Sequence, residues 1–436
     1  MNETQGFGAL PSVGALIEKV QKILKEEGVG GGEVFAHCMR DTLDKTIKRM
    51  EDGTCFVITG DIPAMWLRDS TCQLRPYLLL AGEDDAVASV IAGVIKRQIQ
   101  CILIDPYANA FNESANGNCW AHDKTDMKPE LWERKYEIDS LCFPMQLSYL
   151  FWKNTGRTDH FDADFLEAAK TIVKVFRTEQ DHENRSGYTF EREHTFFTDT
   201  LSRGGKGALV KGGCGLIWSG FRPSDDSCVY GYLIPSNMFA SVILGYLSEI
   251  AETVYGDAAF AEETRAFSKE VREAVEREAL LYDYGGKNPY YSYEVDGFGQ
   301  YLIMDDANLP SLLSIPYIGY CEADDPKYLA TKKKILSDAN PYYYSGKVLS
   351  GIGSMHTPPR FVWHISIGME GLVSNDREEK RRCIERMLSA DGGTGCMHEG
   401  INVDDPTVFT RPWFSWANMV FCELVLDFCG FRVKTA

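Results

Sequence analysis

The stretch Thr59–Ser70 combines charged and aromatic side chains that could bind a polyhydroxylated ring. Its sequence, Thr-Gly-Asp-Ile-Pro-Ala-Met-Trp-Leu-Arg-Asp-Ser, places Asp61, Arg68 and Asp69 close to Trp66. Carboxylates and a guanidinium form paired hydrogen bonds with neighbouring hydroxyls, and an indole stacks on the apolar face of a sugar ring. A structural Arg–Asp pair at the start of a helix fits the same residues equally well, so this segment leaves both interpretations open.

Hydrolysis of a glycosidic bond needs two carboxyl groups, one protonated and one ionised. The segment 218–228 contains the adjacent Asp225 and Asp226, and Glu399 lies far along the chain in the segment 397–405. Like-charge repulsion makes it costly to ionise both adjacent aspartates. Carboxyl groups from different loops can face each other across a substrate, so Asp226 and Glu399 form a candidate catalytic pair.

Four further segments are dense in polar and aromatic residues: 135–140, 305–310, 351–360 and 411–416. Each of them alone could be a solvated loop with acids that cap helices. Their recurrence favours another interpretation, because one rim of a helical barrel would bring all of them to a single pocket.

The composition and net charge limit the kinds of partner that the protein is expected to bind. The chain has 436 residues, 44% of them hydrophobic, and a net charge of −18, which argues against nucleic acid or an anionic membrane as a partner. No run of 18 apolar residues and no basic-then-apolar start are present, so we expect no membrane span and no signal peptide. The 13 cysteines include no C-x-x-C pair and are typical of reduced thiols, which predicts a cytoplasmic location.

Metal and cofactor chemistry find little support in the sequence. The eight histidines show no H-E-x-x-H motif, and His398-Glu399 is an isolated pair. A catalytic zinc ion needs three protein ligands in a defined geometry, and no spacing of that kind is evident. We therefore predict no metal and no cofactor.

Helical periodicity dominates the chain and predicts an all-α dominated fold with short β-hairpins in the loops. The predicted helices are 13–27, 33–50, 69–82, 85–103, 138–155, 162–178, 232–253, 257–277, 309–319, 325–336, 361–372, 376–389 and 411–429, and the predicted strands are 55–59, 188–191 and 290–294. Asp69-Ser70 and Asp162 are the expected helix caps. Strands and helices do not alternate regularly, which disfavours a Rossmann or TIM fold. Paired long helices instead suggest a closed double ring formed by one domain over residues 1–436.

At these residues the chain resembles glycoside hydrolase family 125, the bacterial and fungal exo-α-1,6-mannosidases. The motifs that carry the resemblance span almost the whole chain: Gly60–Ser70, Tyr136–Ser140, Trp218–Ser227, Asp306–Asn308, His398-Glu399 and Phe414–Asn418. The resemblance implies an (α/α)6 barrel that removes terminal non-reducing α-1,6-linked mannose from oligosaccharides or N-glycan-derived mannans. It also implies inversion of the anomeric configuration without a metal.

The resemblance assigns roles to particular residues. The general acid is expected at Asp226 and the general base at Glu399. In an enzyme that inverts the anomeric configuration, the two carboxyl groups should lie about 6.5–9.5 Å apart. The residues expected to bind substrate are Asp61, Trp66, Arg68, Asp69, Glu137, Asp139, Arg222, Asp225, Asn308, His356 and Trp416.

Two other classes of function stay open. One is a barrel phosphorylase or a retaining glycosidase; a phosphorylase needs a basic phosphate pocket, for which Arg222 and Arg411 are the evident candidates. The other is a non-catalytic sugar-binding protein. In each case the expected partner is a mannose-containing oligosaccharide, and the sequence leaves the oligomeric state open.

Overall fold

A computed structural model describes residues 7–435 and shows a mainly helical protein with short strands between the helices. Residues 1–6, on which the expected lack of a signal peptide partly rests, lie outside the described residues. The helices are α1 Pro11–Glu26, α2 Gly32–Asp41, α3 Leu67–Leu74, α4 Leu78–Ala81, α5 Asp85–Ile104, α6 Ile138–Thr155, α7 Ala163–Glu179, α8 His182–Arg185, α9 Ser202–Gly205, α10 Ile234–Ile250, α11 Ala258–Glu278, α12 Pro326–Ile335, α13 His364–Leu372, α14 Arg377–Ser389 and α15 Ser415–Phe428.

The strands are two or three residues long and pair antiparallel. They are β1 Ile47–Arg49, β2 Cys55–Val57, β3 Met65–Trp66, β4 Ala110–Phe111, β5 Leu131–Glu133, β6 Tyr232–Leu233, β7 Leu280–Tyr282, β8 Pro289–Tyr291, β9 Glu294–Val295, β10 Tyr301–Leu302, β11 Tyr343–Ser345, β12 Ser350–Ile352, β13 Phe361–Trp363 and β14 Gly400–Asn402. Several of them directly precede a helix: β3 leads into α3, β6 into α10 and β13 into α13.

Five helices are buried on nearly all sides: α3, α6, α10, α13 and α15. A helix that is buried on all sides lies in the centre of a helical protein, and in α3 the buried residues include Arg68, Asp69 and Gln73. Neighbouring members contact each other in the order α10, α6, α3, α15, α13. These inner helices therefore form a continuous layer.

Amphipathic helices cover the inner layer. Helices α1, α7, α11 and α14 each bury one apolar face and expose a charged one. Helix α11 packs on α10, and α14 packs on α13 and α15. Helix α5 is by length and composition able to cross a membrane, but it packs against α6 and α7, so the core accounts for its apolar character.

The predicted helix 309–319 is wrong. Residues 313–319 form successive turns, and none of residues 309–319 is helical. The Asp305 carboxylate accepts hydrogen bonds from the backbone N–H groups of Leu312 and Leu313, at 2.8 and 3.0 Å. These side-chain contacts replace helical hydrogen bonds, and Pro316 lacks an N–H to donate.

Two other predicted helices are shorter than expected. The helix predicted over 33–50 ends at Asp41, passes through a π-turn and gives way to β1, which pairs with β2. The helix predicted over 411–429 begins at Ser415, because the preceding Phe414 pairs with Gly60 in an extended bridge.

The remaining local predictions have mixed outcomes. No strand forms at 188–191, where Glu191 makes only an isolated bridge with Lys124. Asp162 caps α7, as predicted, by accepting a hydrogen bond from the Phe165 N–H. Asp69-Ser70 does not cap α3, which begins two residues earlier, at Leu67, after the extended Trp66.

Candidate active site

A cavity of about 900 Å³ is lined by loops and by the first residues of inner helices. Nine of the predicted site residues line it: Trp66, Arg68, Asp69, Asp225, Asp226, Asn308, His356, Glu399 and Trp416. Five of these, Arg68, Asp69, Asp226, Asn308 and Trp416, are almost fully buried and are called the floor below. The structure thus brings both predicted catalytic carboxyls to one cavity.

Arg68 is the centre of a buried acidic cluster. Its Nη1 donates to Glu137 Oε2 at 2.7 Å and to Asp139 Oδ2 at 3.0 Å. Its Nη2 lies 3.4 Å from Asp225 Oδ1, and its Nε lies 3.8 Å from Asp69 Oδ2. Glu137 and Asp139 therefore orient Arg68 from behind and do not line the cavity themselves.

One guanidinium is shared by four carboxyl groups in this cluster, so not all of them ionise easily. Burial raises the pKa of Asp69 to about 6, although Arg68 opposes the shift. Burial likewise raises the pKa of Glu137 and of Asp139 against the attraction of Arg68. Asp69 is therefore a floor residue that can donate or accept a hydrogen bond, according to pH.

Asp225 is held as an anion in a left-handed backbone conformation, with φ of 67°. Its carbonyl oxygen accepts a hydrogen bond from Lys135 Nζ at 2.7 Å, and its Oδ1 lies 3.4 Å from Asn109 Nδ2. Burial raises its pKa, but the charges of Arg68 and Lys135 outweigh burial and lower the pKa to about 2. Asp225 is thus ionised at neutral pH and poorly suited to donate a proton.

Asp226 presents a different environment one residue later. Its side chain is buried, and its Oδ2 has no hydrogen-bond partner among residues 7–435. Its backbone carbonyl accepts from the Arg222 N–H at 2.7 Å, and its Oδ1 lies 3.7 Å from His356 Nδ1. A buried, unpartnered carboxyl oxygen at a cavity wall is available to a bound molecule.

His356 carries a positive charge beside the carboxyl group of Asp226. Burial lowers its pKa, but Asp226 and the negative charges of Glu399 and Asp225 raise it to about 9. The imidazolium is therefore present at neutral pH, between groups from two loops.

Glu399 is held by a hydrogen bond from a hydroxyl group and has no ion pair among residues 7–435. Its Oε2 accepts from Thr410 Oγ1 at 3.0 Å. The backbones of Gly400 and Thr410 are joined as well, because the Thr410 N–H donates to the Gly400 carbonyl at 2.8 Å. Strand β14 directly follows Glu399 and pairs with β13, which fixes this loop against the start of α13.

Besides Glu137 and Asp139, two further predicted substrate-binding residues, Asp61 and Arg222, lie outside the cavity lining. Arg222 is buried and pairs with Glu294 at 2.6 Å, so it stabilises the loop that carries Asp226. Asp61 is exposed and pairs with Arg411, whose Nε lies 2.9 Å from Asp61 Oδ1. Arg411 itself lines the cavity, so Asp61 acts on the cavity through its partner.

Sequence reasoning missed several groups that shape the site. Lys135 Nζ donates to Asp199 Oδ1 at 2.5 Å as well as to the Asp225 carbonyl, and nothing in the sequence links residues that far apart. The paired aromatics Phe196 and Phe197 also line the cavity, as does Trp120. In the sequence, Phe196 and Phe197 could have been noticed as two adjacent phenylalanines between threonines. Within residues 7–435 no group of three or more His, Cys, Asp or Glu side chains is arranged to hold a metal ion.

The family model for metal-independent alpha-mannosidases, GH125, matches residues 32–426. The chain belongs to GH125. It is therefore a glycoside hydrolase, and the family resemblance inferred from its motifs is confirmed.

Relatives of this GH125 member are found in a bacterium and a yeast. A metal-independent alpha mannosidase of Streptococcus pneumoniae, solved in a non-productive complex with alpha-1,6-mannobiose, is 47% identical over 97% of this chain and 99% of that chain, with a TM-score of 0.93. The meiotically up-regulated gene 157 protein of Schizosaccharomyces pombe is 39% identical over 95% of this chain and 85% of that protein.

A more distant structure shares the fold alone. A bacterial glucoamylase solved with acarbose is 13% identical, with a TM-score of 0.58 over 92% of this chain and 56% of that chain.

Proposed function

We propose that this GH125 member is an inverting exo-α-1,6-mannosidase that removes terminal non-reducing mannose from oligosaccharides or N-glycan-derived mannans. The observation that carries the proposal is the pair Asp226 and Glu399 in one cavity, where Asp226 has a buried unpartnered oxygen. The mannobiose complex of the S. pneumoniae relative supports the choice of sugar and linkage.

The buried floor supports exo action. Arg68, Asp69 and Asn308 are polar groups at the closed end of the cavity, and the Arg68 guanidinium lies 5.5 Å from the Trp416 ring centroid. A terminal sugar can place its hydroxyls on these groups and its apolar face on the indole. A chain that continued past this sugar would meet buried protein.

The proposed reaction uses two proton transfers. Asp226 gives its proton to the glycosidic oxygen as the bond from that oxygen to the anomeric carbon breaks. Glu399 takes a proton from a water molecule that attacks the anomeric carbon from the opposite face, so the product is β-mannose. Asp225, as an anion fixed by Arg68 and Lys135, holds the adjacent Asp226 in place and takes no proton itself.

The proposal includes the architecture. The continuous inner layer α10, α6, α3, α15, α13 together with its outer helices is what an (α/α)6 barrel requires. The turns 313–319 follow α11 and precede α12, the position that a sixth inner helix would take. One continuous apolar core supports a single domain. The cytoplasmic location stays a prediction.

The test is hydrolysis of α-1,6-mannobiose followed by NMR of the first sugar released. We expect β-mannose at early times, with no dependence on phosphate. Initial release of α-mannose indicates a retaining enzyme, a mannose phosphate formed only with phosphate indicates a phosphorylase, and binding without turnover indicates a sugar-binding protein.

A further inference from the structure

Three large aromatic side chains are exposed around the entrance of the cavity. Trp120, Phe196 and Phe197 are 56%, 82% and 80% exposed, and all three line the same cavity as the catalytic carboxyls. They are called the aromatic rim below. Large apolar groups exposed together mark an interaction site, because burying them in contact with a ligand is favourable.

The rim is held rigidly in spite of its exposure. Asp199, two residues after Phe197, accepts hydrogen bonds from Lys135 Nζ at 2.5 Å and from Arg192 Nη1 at 2.9 Å. Thr195 Oγ1 donates to the same carboxylate at 2.8 Å. A platform whose backbone is fixed in advance loses little entropy when a ligand binds.

Trp120 is tied to the same structure. The backbone N–H of Trp120 donates to the backbone carbonyl of Trp132 at 3.0 Å. Four residues later, Lys124 and Glu191 exchange backbone hydrogen bonds of 2.8 and 3.2 Å. The loop that carries Trp120 is therefore joined to the segment that leads into Phe196 and Phe197.

The rim lies on the side of the general acid. The Ser227 N–H, next to Asp226, donates to the Thr198 carbonyl, next to Phe197, at 2.6 Å. Lys135 Nζ also bridges Asp199 and the Asp225 carbonyl. In glycoside hydrolysis the acid faces the leaving-group oxygen, and the base faces the opposite side of the sugar. The leaving part of the substrate therefore departs past Asp226 towards the rim.

The size and chemistry of the cavity fit a longer substrate. About 900 Å³ is near the upper end of the range for small-molecule sites, roughly 300–1,000 Å³, and exceeds what a terminal sugar fills. Glu133, Lys135 and Arg192 line the cavity between floor and rim, so polar hydrogen-bonding groups lie beside the aromatic faces. Aromatic faces next to charged donors and acceptors suit a sugar chain, whose rings have apolar faces and polar edges.

We propose that the aromatic rim is a binding platform for sugar units beyond the two that flank the cleaved bond. The inference rests on the proposed function and narrows its substrate class to mannose borne on chains of three or more sugars. The platform contributes to affinity for the leaving chain and leaves the chemical step unchanged.

The test compares α-1,6-mannobiose with α-1,6-mannotriose in wild type, Phe196→Ala, Phe197→Ala and Trp120→Ala. We expect wild type to show the higher kcat/KM on the trisaccharide. Each variant should lose roughly 3- to 10-fold in kcat/KM on the trisaccharide through KM, as for one aromatic contact, with kcat and all mannobiose kinetics unchanged. Phe298→Ala is the matched control, because Phe298 is 59% exposed and lies outside the cavity lining. This variant should have wild-type kcat and KM on both substrates.

Other outcomes overturn the inference. Equal losses on both substrates show that the rim only supports the local structure, and unchanged trisaccharide kinetics show that it binds no sugar. Phe196→Tyr, which keeps the ring, should retain wild-type preference and guards against a folding defect. Failure of wild type to cleave mannobiose would instead reject the proposed function, so the two failures are distinguishable.

Discussion

The loop that carries Asp226 and the loop that carries Glu399 are held by different forces. The acid loop, residues 223–227, is anchored by buried charges: Lys135 on the Asp225 carbonyl and Arg68 beside the Asp225 carboxylate. The base loop, residues 398–410, is anchored by the Gly400–Thr410 backbone pair and by stacking of His398 on Phe409, with ring centroids 3.7 Å apart. Its ion pair Asp404–Arg360 lies at the surface, where such pairs contribute little.

The two kinds of anchoring predict different sensitivities to substitution. Removing one partner of a buried ion pair leaves an uncompensated charge and costs about 3–5 kcal/mol, whereas a neutral hydrogen bond contributes about 1 kcal/mol. A fixed anion at Asp225 also separates the roles of two adjacent aspartates. The acid loop should therefore be sensitive to single substitutions that the base loop tolerates.

The largest effect is expected at the two carboxyls proposed to be catalytic, Asp226 and Glu399. Asp226→Asn should lower kcat on α-1,6-mannobiose by roughly 10²- to 10⁴-fold but affect a dinitrophenyl mannoside far less, because an activated leaving group needs no proton. Glu399→Gln should lower both rates, since water must be activated in each case. The measurement is steady-state kinetics on the two substrates.

Asp225→Asn is the matched control for the acid. Its carboxyl has a pKa of about 2 and should not act as a proton donor. The substitution should therefore lower the rates of hydrolysis of the two substrates by the same factor. If Asp225→Asn and not Asp226→Asn shows the loss that depends on the leaving group, the acid is Asp225.

Lys135→Met should produce the next largest effect. The buried ammonium contacts Asp199 at 2.5 Å and lies 3.6 Å from Glu133, and without it the two carboxylates would share Arg192 as their cationic partner. We expect the free energy of unfolding to fall by about 3–5 kcal/mol, measured by urea denaturation. A loss below about 1 kcal/mol would contradict ionic anchoring of the acid loop.

Arg68→Lys tests geometry separately from charge. A lysine keeps the positive charge but cannot reach Glu137, Asp139 and Asp225 with a rigid fork. We expect kcat/KM on mannobiose to fall by roughly 10- to 100-fold in a variant that still folds and unfolds cooperatively. Unchanged activity would mean that Arg68 has only a structural role.

Thr410→Val tests the base loop at a comparable contact. The substitution removes the hydroxyl that donates to Glu399 Oε2 at 3.0 Å and nearly preserves shape. The same hydroxyl accepts from the Gly400 backbone N–H at 2.9 Å, so we expect a stability loss of about 1–2 kcal/mol and a rate loss of roughly 3- to 10-fold. An effect as large as that of Lys135→Met would abolish the contrast between the loops.

The smallest effect concerns His356, which faces both loops. Its pKa is raised from an ordinary value of 6.5 to about 9, so the folded state holds the proton more tightly than the unfolded chain. The stabilisation is complete below about pH 6.5 and is lost as pH rises through about 9. The thermal midpoint of wild type should exceed that of His356→Gln at about pH 6, and the difference should vanish by about pH 10.

The sequence predicted the long helices and the candidate carboxyls, but not the contacts between distant segments. Apolar periodicity predicts α5, α6, α7 and α11 nearly to their ends because local pattern and burial agree there. The periodicity wrongly predicts a helix over 309–319, where the Asp305 side chain accepts hydrogen bonds from two backbone N–H groups. Such competition depends on a side chain six or more positions away and leaves no periodic signal.

The site shows the same division. Motifs and the family resemblance selected Arg68, Asp226 and Glu399 as candidates, and all three line one cavity. They could not show that Glu137 and Asp139 lie behind Arg68, because that placement arises from the packing of α6 against α3. The bridge from Lys135 to Asp199 and to the acid loop is likewise a tertiary contact between residues that no local pattern connects.

In the reaction proposed for this GH125 member, the contrast between a buried floor and an exposed rim also sets the order in which the products depart. The sugar that loses its glycosidic bond rests on Arg68 and Asp69, while the remainder of the substrate lies between it and solvent. The remainder must diffuse away first, and mannose leaves last. Free mannose therefore occupies the empty enzyme in competition with substrate, whereas the shortened oligosaccharide can rebind while mannose is still in place.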